Sequence, residues 1–234
     1  MLNPVKEYIN DFFNLVYPET CAACNQLLVK NENMVCTRCL YEIPKTNFHK
    51  EADNPVEQIF WGRVKIEKAT ALFYFKQKSK YRRLIHQLKY KGNIEIGVEM
   101  GRWLGASLSE TGWINEIDVL IPVPLHPKRF KKRGYNQSEV ICRGISEVCN
   151  KPIDIFSLVR TKASETQTKK SKFDRWLNVE TLFAVSDPAR IENCHVLLVD
   201  DVITTGATLE ACIHCLLEVK GVKVSVASLC FTSD

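Results

Sequence analysis

Hydrophobic and polar residues follow two periods along the chain, and segments of the two kinds alternate. Apolar residues recur at helical spacing in residues 5–16, 81–90, 92–108, 135–149 and 209–219. Short apolar runs of the length of buried strands lie at 69–75, 118–125, 153–159, 181–185, 196–199 and 222–231. Strands that alternate with helices predict an α/β fold with a largely parallel sheet flanked by helices on both faces.

Two segments show neither period. Residues 18–48 are short stretches around paired cysteines, with few large apolar side chains. Residues 161–178 are polar and charged, and such a long polar segment inside a compact domain predicts a functional loop. We therefore divide the chain into an N-terminal helix and cysteine module (1–48), a connector and hood-like region (49–115) and an α/β core (116–234).

Composition places the chain among globular proteins, because 45% of its 234 residues are hydrophobic and 25% are charged. A net charge of +5 is mildly basic, so any anion site must be argued from local sequence. Apolar runs stay well short of the roughly 18 residues that a membrane span requires. Charged residues also occupy the segment where a signal peptide would be apolar: Lys6, Glu7, Asp11 and Glu19. We expect a cytoplasmic protein without membrane insertion.

Four of the ten cysteines form two CxxC pairs, Cys21 with Cys24 and Cys36 with Cys39, separated by eleven residues. Each pair can contact one edge of a tetrahedral ion, and the intervening residues are enough to bring both pairs to the zinc–sulfur distance of about 2.3 Å. Four thiolates leave no position for water, so the pattern predicts a structural zinc site. A redox role is the alternative, and two closely spaced pairs favour the metal.

The strongest chemical pattern is VLLVDDVITTGAT, Val196 to Thr208. A buried strand ends in Asp200 and Asp201, and a polar turn then opens a helix. Ligands of parallel sheets gather at this edge, where successive N–H groups at a helix start can bind a phosphate. The carboxylates suit a ribose diol with magnesium, so the pattern predicts a ribose 5-phosphate site. The predicted phosphate-binding residues are Thr204, Thr205, Gly206, Ala207 and Thr208.

A simpler interpretation is that the aspartates cap the helix and that the turn is only a connection. Capping accounts for one acidic residue. It does not account for two acidic residues followed in order by three threonines and a glycine.

This string resembles the phosphoribosyl pyrophosphate (PRPP) fingerprint of type I phosphoribosyltransferases. Further segments make nearly the whole chain resemble the ComF family: IPVPLHPKRFKKRGYNQSEV (121–140), LIHQLKYKGN (84–93), the four-cysteine module, and the spaced residues Arg160, Thr161, Gln167, Arg175 and Asn178. The resemblance implies a type I phosphoribosyltransferase fold with an N-terminal zinc module. It also implies an association with DNA uptake in natural transformation.

A run of cations follows the strand at 118–125 and ends at Gly134: Lys128, Arg129, Lys131, Lys132 and Arg133. Since ligand loops follow strand ends, the run predicts an anion site, whereas a solvated charged surface is the alternative. The resemblance implies a pyrophosphate loop here. We assign substrate binding to Lys128, Arg129 and Arg133, and to Asn136 and Gln137 at the next helix start.

The polar 160–178 segment corresponds, by the resemblance, to a flexible loop that closes over substrate. Three of its residues match the family pattern and are expected to bind substrate: Arg160, Gln167 and Arg175. For its lysines, a solvated surface loop is the favoured interpretation.

The sequence and the resemblance together lead to two functional hypotheses. The first is an enzyme that binds PRPP with magnesium and transfers the phosphoribosyl group to an unidentified acceptor, with Asp200 and Asp201 as catalytic residues. The second is a non-catalytic nucleotide- or single-stranded-DNA-binding member of the competence machinery. Its basic run and four tryptophans would supply cations and stacking surfaces, although core packing explains the tryptophans equally well.

Overall fold

The computed structural model describes residues 18–161 and 182–232. In these residues six strands form two sheets, and in chain order they are β1 (Ala69–Tyr74), β2 (Val119–Pro122), β3 (Leu158–Arg160), β4 (Phe183–Val185), β5 (His195–Ile203) and β6 (Lys223–Phe231). The main sheet has four parallel strands in the order β1-β6-β5-β2, while β3 and β4 form a small antiparallel pair. The predicted parallel α/β architecture is therefore confirmed.

Within the described ranges, seven α-helices surround or connect these strands: α1 (Thr37–Glu42), α2 (Pro55–Gln58), α3 (Arg82–Tyr90), α4 (Ile94–Glu110), α5 (Pro127–Arg133), α6 (Gln137–Cys149) and α7 (Ala207–Leu217). The part of the chain that the structure describes also contains three short 3-10 helices, Phe48–Lys50, Trp113–Glu116 and Pro188–Arg190. Among the helices in the described parts of the chain, none combines the length and the apolar character needed to cross a lipid bilayer.

Strand β5 separates two layers of core, because neighbouring residues of a strand point to opposite faces of the sheet. Leu197 and Val199 belong to the layer that includes α3, α4 and α6. Val196 and Leu198 belong to the opposite layer, which includes α7. Helices thus cover both faces of the sheet, as the continuous apolar run at 196–199 predicted.

Helices α4 and α6 pack at backbone contact. A Cβ on Gly144 would lie 2.0 Å from the carbonyl oxygen of Val98, and one on Gly101 would lie 2.3 Å from that of Ile141. This close approach fixes the position of α6, whose first turn reaches the carboxyl edge of the main sheet.

The sequence prediction of a strand over 153–159 is wrong for most of that range. Ile153 makes only an isolated bridge to Leu120, and β3 begins at Leu158. The buried side chain of Asp154 accepts hydrogen bonds from the N–H groups of Phe156 and Ser157, at 2.7 and 2.9 Å. These bonds favour a turn over an extended strand.

The basic run expected to form a loop after the strand at 118–125 is instead the helix α5. His126 caps the helix by accepting from the Lys128 N–H at 3.1 Å, Pro127 is its first residue and Gly134 ends it at φ +82°. The predicted helix at 5–16 lies outside the described residues, as does nearly all of the predicted loop at 161–178.

Candidate functional site

The carboxylate pair, Asp200 and Asp201, lies at the carboxyl edge of the main sheet. Strand β2 ends at Pro122, which pairs with Val199, so Asp200 is the first residue of β5 beyond the end of β2. Strand β5 continues to Ile203 alongside β6. The two carboxylates are therefore fixed on a regular strand and not on a loop.

The Asp200 side chain contacts the first turn of α6. Its Oδ1 accepts from Ser138 Oγ at 3.1 Å and from the Asp201 N–H at 2.8 Å. Burial, together with the neighbouring charge of Asp201, raises the pKa of Asp200 to about 7. Asp200 thus exchanges its proton near neutral pH, whereas an ordinary aspartate is fully ionised there.

Asp201 forms an ion pair with Lys89 of α3, and 2.9 Å separates its Oδ1 from Lys89 Nζ. The Lys89 side chain is 22% exposed and that of Asp201 is 13% exposed, so water screens the pair only partly. Sequence reasoning did not single out Lys89. The only signal was its place in the segment 84–93 that resembles ComF.

The segment Thr204–Thr208, here called the TTGAT turn, joins β5 to α7. Its four non-glycine side chains are exposed, and Gly206 caps α7 at φ +73°. The first N–H groups of a helix have no partner inside the helix, and Gly206 has no side chain that could accept from them. An exposed turn with these donors and three hydroxyls suits a phosphate.

The back of the TTGAT turn packs against the segment that follows α2. A Cβ on Gly206 would lie 2.6 Å from Ile59 Cγ2 and 3.4 Å from the Phe60 ring. Arg63 donates to the Thr205 carbonyl oxygen at 2.9 Å and also pairs with Glu210 in the first turn of α7. Arg63, which sequence reasoning missed, therefore supports the turn from the predicted hood-like region.

Helix α5 presents four of the five predicted cations at the exposed surface, with Phe130 among them at 48% exposure. The fifth cation, Arg133, is half-buried. It donates to Gln137 Oε1 at 2.6 Å and lies 5.3 Å from the centre of the Tyr90 ring. The predicted basic segment thus leaves a concentrated positive charge beside the end of β2.

Asn136 and Gln137 fix the start of α6. Asn136 donates to the Val123 carbonyl oxygen at 2.9 Å and accepts from the Ser138 N–H at 3.1 Å. Gln137 is only 1% exposed and contacts Arg133. Any effect of Gln137 on a ligand would therefore pass through Arg133.

Arg160 ends β3 in a half-buried position, 5.1 Å from the centre of the Phe183 ring. Within residues 18–161 and 182–232, its buried Nε atom has no hydrogen-bond partner. Burial lowers the pKa of the Arg160 guanidinium, Cys212 opposes that change, and the positive charge of Arg129 adds to it. Arg160 and Arg129 are thus within electrostatic reach of each other. Gln167 and Arg175 lie outside the described residues.

The tetracysteine cluster comprises Cys21, Cys24, Cys36 and Cys39. Its four sulfur atoms lie within 4.8 Å of one another, with Cys24 and Cys36 at 3.8 Å. Three of the four residues are buried, and Cys24 is half-buried. This donor set could hold a metal ion, as the spacing predicted, and four sulfur ligands suit Zn²⁺.

The thiols of the cluster differ in their surroundings. Burial opposes ionisation of Cys21, but the N–H groups of Cys24, Cys36 and Ala23 lower the pKa of this thiol to about 6. Burial and the neighbouring Cys36 raise the pKa of Cys39 to about 12. Four thiolates packed this closely need a cation to offset their repulsion and lost hydration, which a bound metal supplies.

Comparison with known proteins agrees with this architecture. Residues 138–234 match the model of the phosphoribosyl transferase domain family. The chain is 29% identical over 216 residues to DNA utilization protein YhgH of Escherichia coli (strain K12), covering 91% of this chain and 90% of that protein. It is 32% identical over 144 residues to competence protein ComFC of Bacillus subtilis (strain 168), covering 62% of this chain and 56% of that protein.

Among solved structures, the chain is similar to the glutamine PRPP amidotransferase of B. subtilis complexed with ADP and GMP. The match has 21% identity and a TM-score of 0.39, covers 56% of this chain and spans 25% of that protein's length. The domain match covers the carboxylate pair and the TTGAT turn, and the match to YhgH extends over nearly the whole chain. The chain therefore belongs to the ComF family of phosphoribosyltransferase-like proteins.

Proposed function

We propose that this protein binds PRPP together with magnesium and transfers the phosphoribosyl group to an acceptor, releasing pyrophosphate. One observation carries the proposal: the carboxylate pair, Asp200 and Asp201, lies near the carboxyl end of the parallel strand β5 and is followed within three residues by the exposed TTGAT turn. A diol-binding group beside a phosphate-binding turn matches the two ends of a ribose 5-phosphate.

The 5-phosphate would bind at the TTGAT turn. The first N–H groups of α7 would donate to its oxygens, and the hydroxyls of Thr204, Thr205 and Thr208 would add further donors. Arg63 supports this assignment because it offsets the charge of Glu210, which would otherwise repel a phosphate at the same helix end.

The ribose hydroxyls would bind at the carboxylate pair, since carboxylate oxygens accept hydrogen bonds from a diol. The same oxygens are suitable ligands for magnesium, which would neutralise charge on the pyrophosphate group. The raised pKa of Asp200 lets this side chain keep a proton near neutral pH. Asp200 would release that proton when it binds magnesium.

The pyrophosphate group would bind at α5. Lys128, Arg129 and Arg133 lie on this helix, and Arg160 is within electrostatic reach of Arg129. Asn136 ties the start of α6 to the end of β2, which fixes the distance between α5 and the carboxylate pair. Gln167 and Arg175 are proposed to add contacts from the segment outside the described residues.

The reaction would be a substitution at the anomeric carbon. The C1–O bond to pyrophosphate breaks with its electron pair going to pyrophosphate, the acceptor's lone pair forms the new bond to C1, and the acceptor's proton passes to solvent. Positive charge grows on the ribose ring as the first bond breaks. Carboxylates near the ring and cations near the leaving group stabilise that transition state electrostatically.

The tetracysteine cluster is proposed to bind a structural Zn²⁺ ion, because four close sulfur ligands would leave the ion no position for water. A role in DNA uptake or utilization is proposed from the names of the relatives YhgH and ComFC. Competence proteins are the partners that this role would require.

Calorimetric titration with PRPP and magnesium tests the proposal. We expect saturable binding by the natural protein and at least about tenfold weaker binding by Asp200→Asn and Asp201→Asn, since each substitution removes a charged acceptor. Asp187→Asn is the matched control because Asp187 is exposed outside the site. Either no binding by the natural protein, or equal affinity in all three variants, would contradict the proposal.

A second candidate function is binding of single-stranded nucleic acid without catalysis. The specific observation in its favour is that α5 exposes Phe130 among its cations, which pairs a stacking surface with phosphate-binding charge. Salt-dependent binding of a single-stranded oligonucleotide that Phe130→Ala weakens would support it. Pyrophosphate release in a screen of base acceptors would instead support the enzyme.

A further inference from the structure

Helix α3 contacts the tetracysteine module along its length, from Tyr81 to Gln87. Tyr81, just before the helix, donates through its hydroxyl to the Cys39 carbonyl oxygen at 2.9 Å. Gln87 donates to the Ala22 carbonyl oxygen at 2.8 Å, and Arg83 donates to Asn25 Oδ1 at 3.0 Å. Ala22 lies inside one CxxC pair, and Cys39 ends the other. The contacts therefore reach the backbone of both pairs.

The C-terminal turn of α3 contacts the carboxylate pair through Lys89, whose Nζ lies 2.9 Å from Asp201 Oδ1. Two further residues of the helix, Leu84 and Leu88, are fully buried and pack against the core. A regular helix transmits a change at one end to the other with little bending over so short a length. The tetracysteine cluster and the carboxylate pair thus both contact the same short helix.

We propose that Lys89 is a positioning residue that sets the orientation and charge of Asp201, and that α3 thereby couples metal binding at the tetracysteine cluster to ligand binding at the carboxylate pair. The ligand half of this inference rests on the proposed PRPP site. The structural half, from Lys89 to the cluster, does not depend on any ligand.

Lys89 can affect Asp201 because Asp201 lies next to a second carboxylate. Asp200 and Asp201 repel each other, and the positive charge of Lys89 offsets part of that repulsion. Loss of the ion pair would leave Asp201 without its partly buried partner and would remove a direct side-chain contact between α3 and β5. Because coupling between binding affinities is reciprocal, a ligand that binds more tightly when the metal is bound must also raise the affinity for the metal. We expect that gain in affinity to appear as slower loss of the metal.

The test measures the rate at which a chromogenic chelator removes zinc from the full chain, with and without PRPP and magnesium. The variants are Lys89→Met, Lys89→Arg and the exposed control Lys91→Met. Without ligand, we expect zinc loss to be about fivefold faster in Lys89→Met than in Lys91→Met, and largely restored in Lys89→Arg. With ligand, we expect zinc loss to slow in the natural protein and not in Lys89→Met.

A double variant separates positioning from general destabilisation. If Lys89 acts through Asp201, Lys89→Met combined with Asp201→Asn will release zinc no faster than the faster single variant. The inference would be overturned if the increases in the rate of zinc loss from the two single substitutions multiplied in the double variant. Equal rates of zinc loss in Lys89→Met and Lys91→Met would also overturn it. Absence of PRPP binding by the natural protein, with the ligand-free differences intact, would overturn only the proposed function.

Discussion

Gly206 contacts Ile59 so closely that an added Cβ would lie 2.6 Å from the Ile59 Cγ2 atom. This contact joins the TTGAT turn to the segment after α2, more than a hundred residues earlier in the chain. The left-handed φ of +73° adds a second reason for glycine at this position. The conformation of the TTGAT turn thus depends on the residues that pack behind it as well as on its own sequence.

Substitution Gly206→Ala should lower the free energy of unfolding by about 2–4 kcal/mol, from the left-handed backbone together with the clash. Gly62→Ala is the matched control, because Gly62 has φ +68° and nothing within 4 Å of an added Cβ. The Gly62→Ala substitution should lower the free energy of unfolding by only about 1 kcal/mol, because only the left-handed backbone is unfavourable there. Urea unfolding measures both values, and equal losses would show that the Ile59 contact is unimportant.

Substitution Asp200→Asn should stabilise the protein above neutral pH. The folded pKa of about 7 lies above the ordinary value of 3.8, so the folded state binds the proton more tightly than the unfolded chain. Stability from this group is therefore lost as pH rises from about 4 to about 7. The asparagine variant avoids the loss because it does not ionise.

Urea unfolding of the natural protein and the variant at about pH 6 and about pH 8 measures the difference. The advantage of Asp200→Asn should grow by about 1–2 kcal/mol over that interval. Asp187→Asn should show no such growth, since Asp187 is exposed. A constant difference for Asp200→Asn would show that its pKa is not raised.

Substitution Arg63→Ala should weaken PRPP binding by about tenfold, because it removes the donor to the Thr205 carbonyl oxygen and leaves Glu210 uncompensated beside the phosphate. Lys65→Ala removes the same charge from an exposed site nearby and should leave the affinity within about twofold. Calorimetric titration compares them. Equal affinities of the two variants for PRPP would contradict the proposed role of Arg63 in supporting the TTGAT turn.

Substitution Cys39→Ser should abolish stoichiometric zinc, which the natural protein is expected to bind at about one ion per chain. Its thermal unfolding temperature should also fall, because metal binding contributes to folding. Cys194→Ser is the control, since Cys194 lies away from the cluster. Metal analysis measures the zinc content, and a thermal scan measures the unfolding temperature. Full zinc content in Cys39→Ser would contradict a zinc site at the tetracysteine cluster.

Much of the fold follows from sequence because its signals are local. The apolar run at 196–199 is continuous enough to predict a buried strand, and the two CxxC pairs predict a cluster whatever the rest of the chain does. Helix α5 lacks such a signal. Its residues are exposed or half-buried, so no apolar stripe marks it, and the side-chain cap from His126 shows only in the structure.

The supports of the candidate site could not be predicted for a different reason. Lys89 and Arg63 act through contacts with residues more than a hundred positions away, and nothing near either residue in sequence indicates its partner. Their neighbours gave only general expectations: Lys89 on an amphipathic helix and Arg63 in a connector. Such contacts become visible only when the chain is folded.

The most direct test of the central claim is a crystal structure of the protein grown with PRPP and magnesium. We expect 5-phosphate oxygens within hydrogen-bond distance of the N–H groups at the start of α7, ribose hydroxyls at Asp200 and Asp201, and pyrophosphate facing α5. Sugar density elsewhere, or an empty edge at saturating ligand, would contradict it.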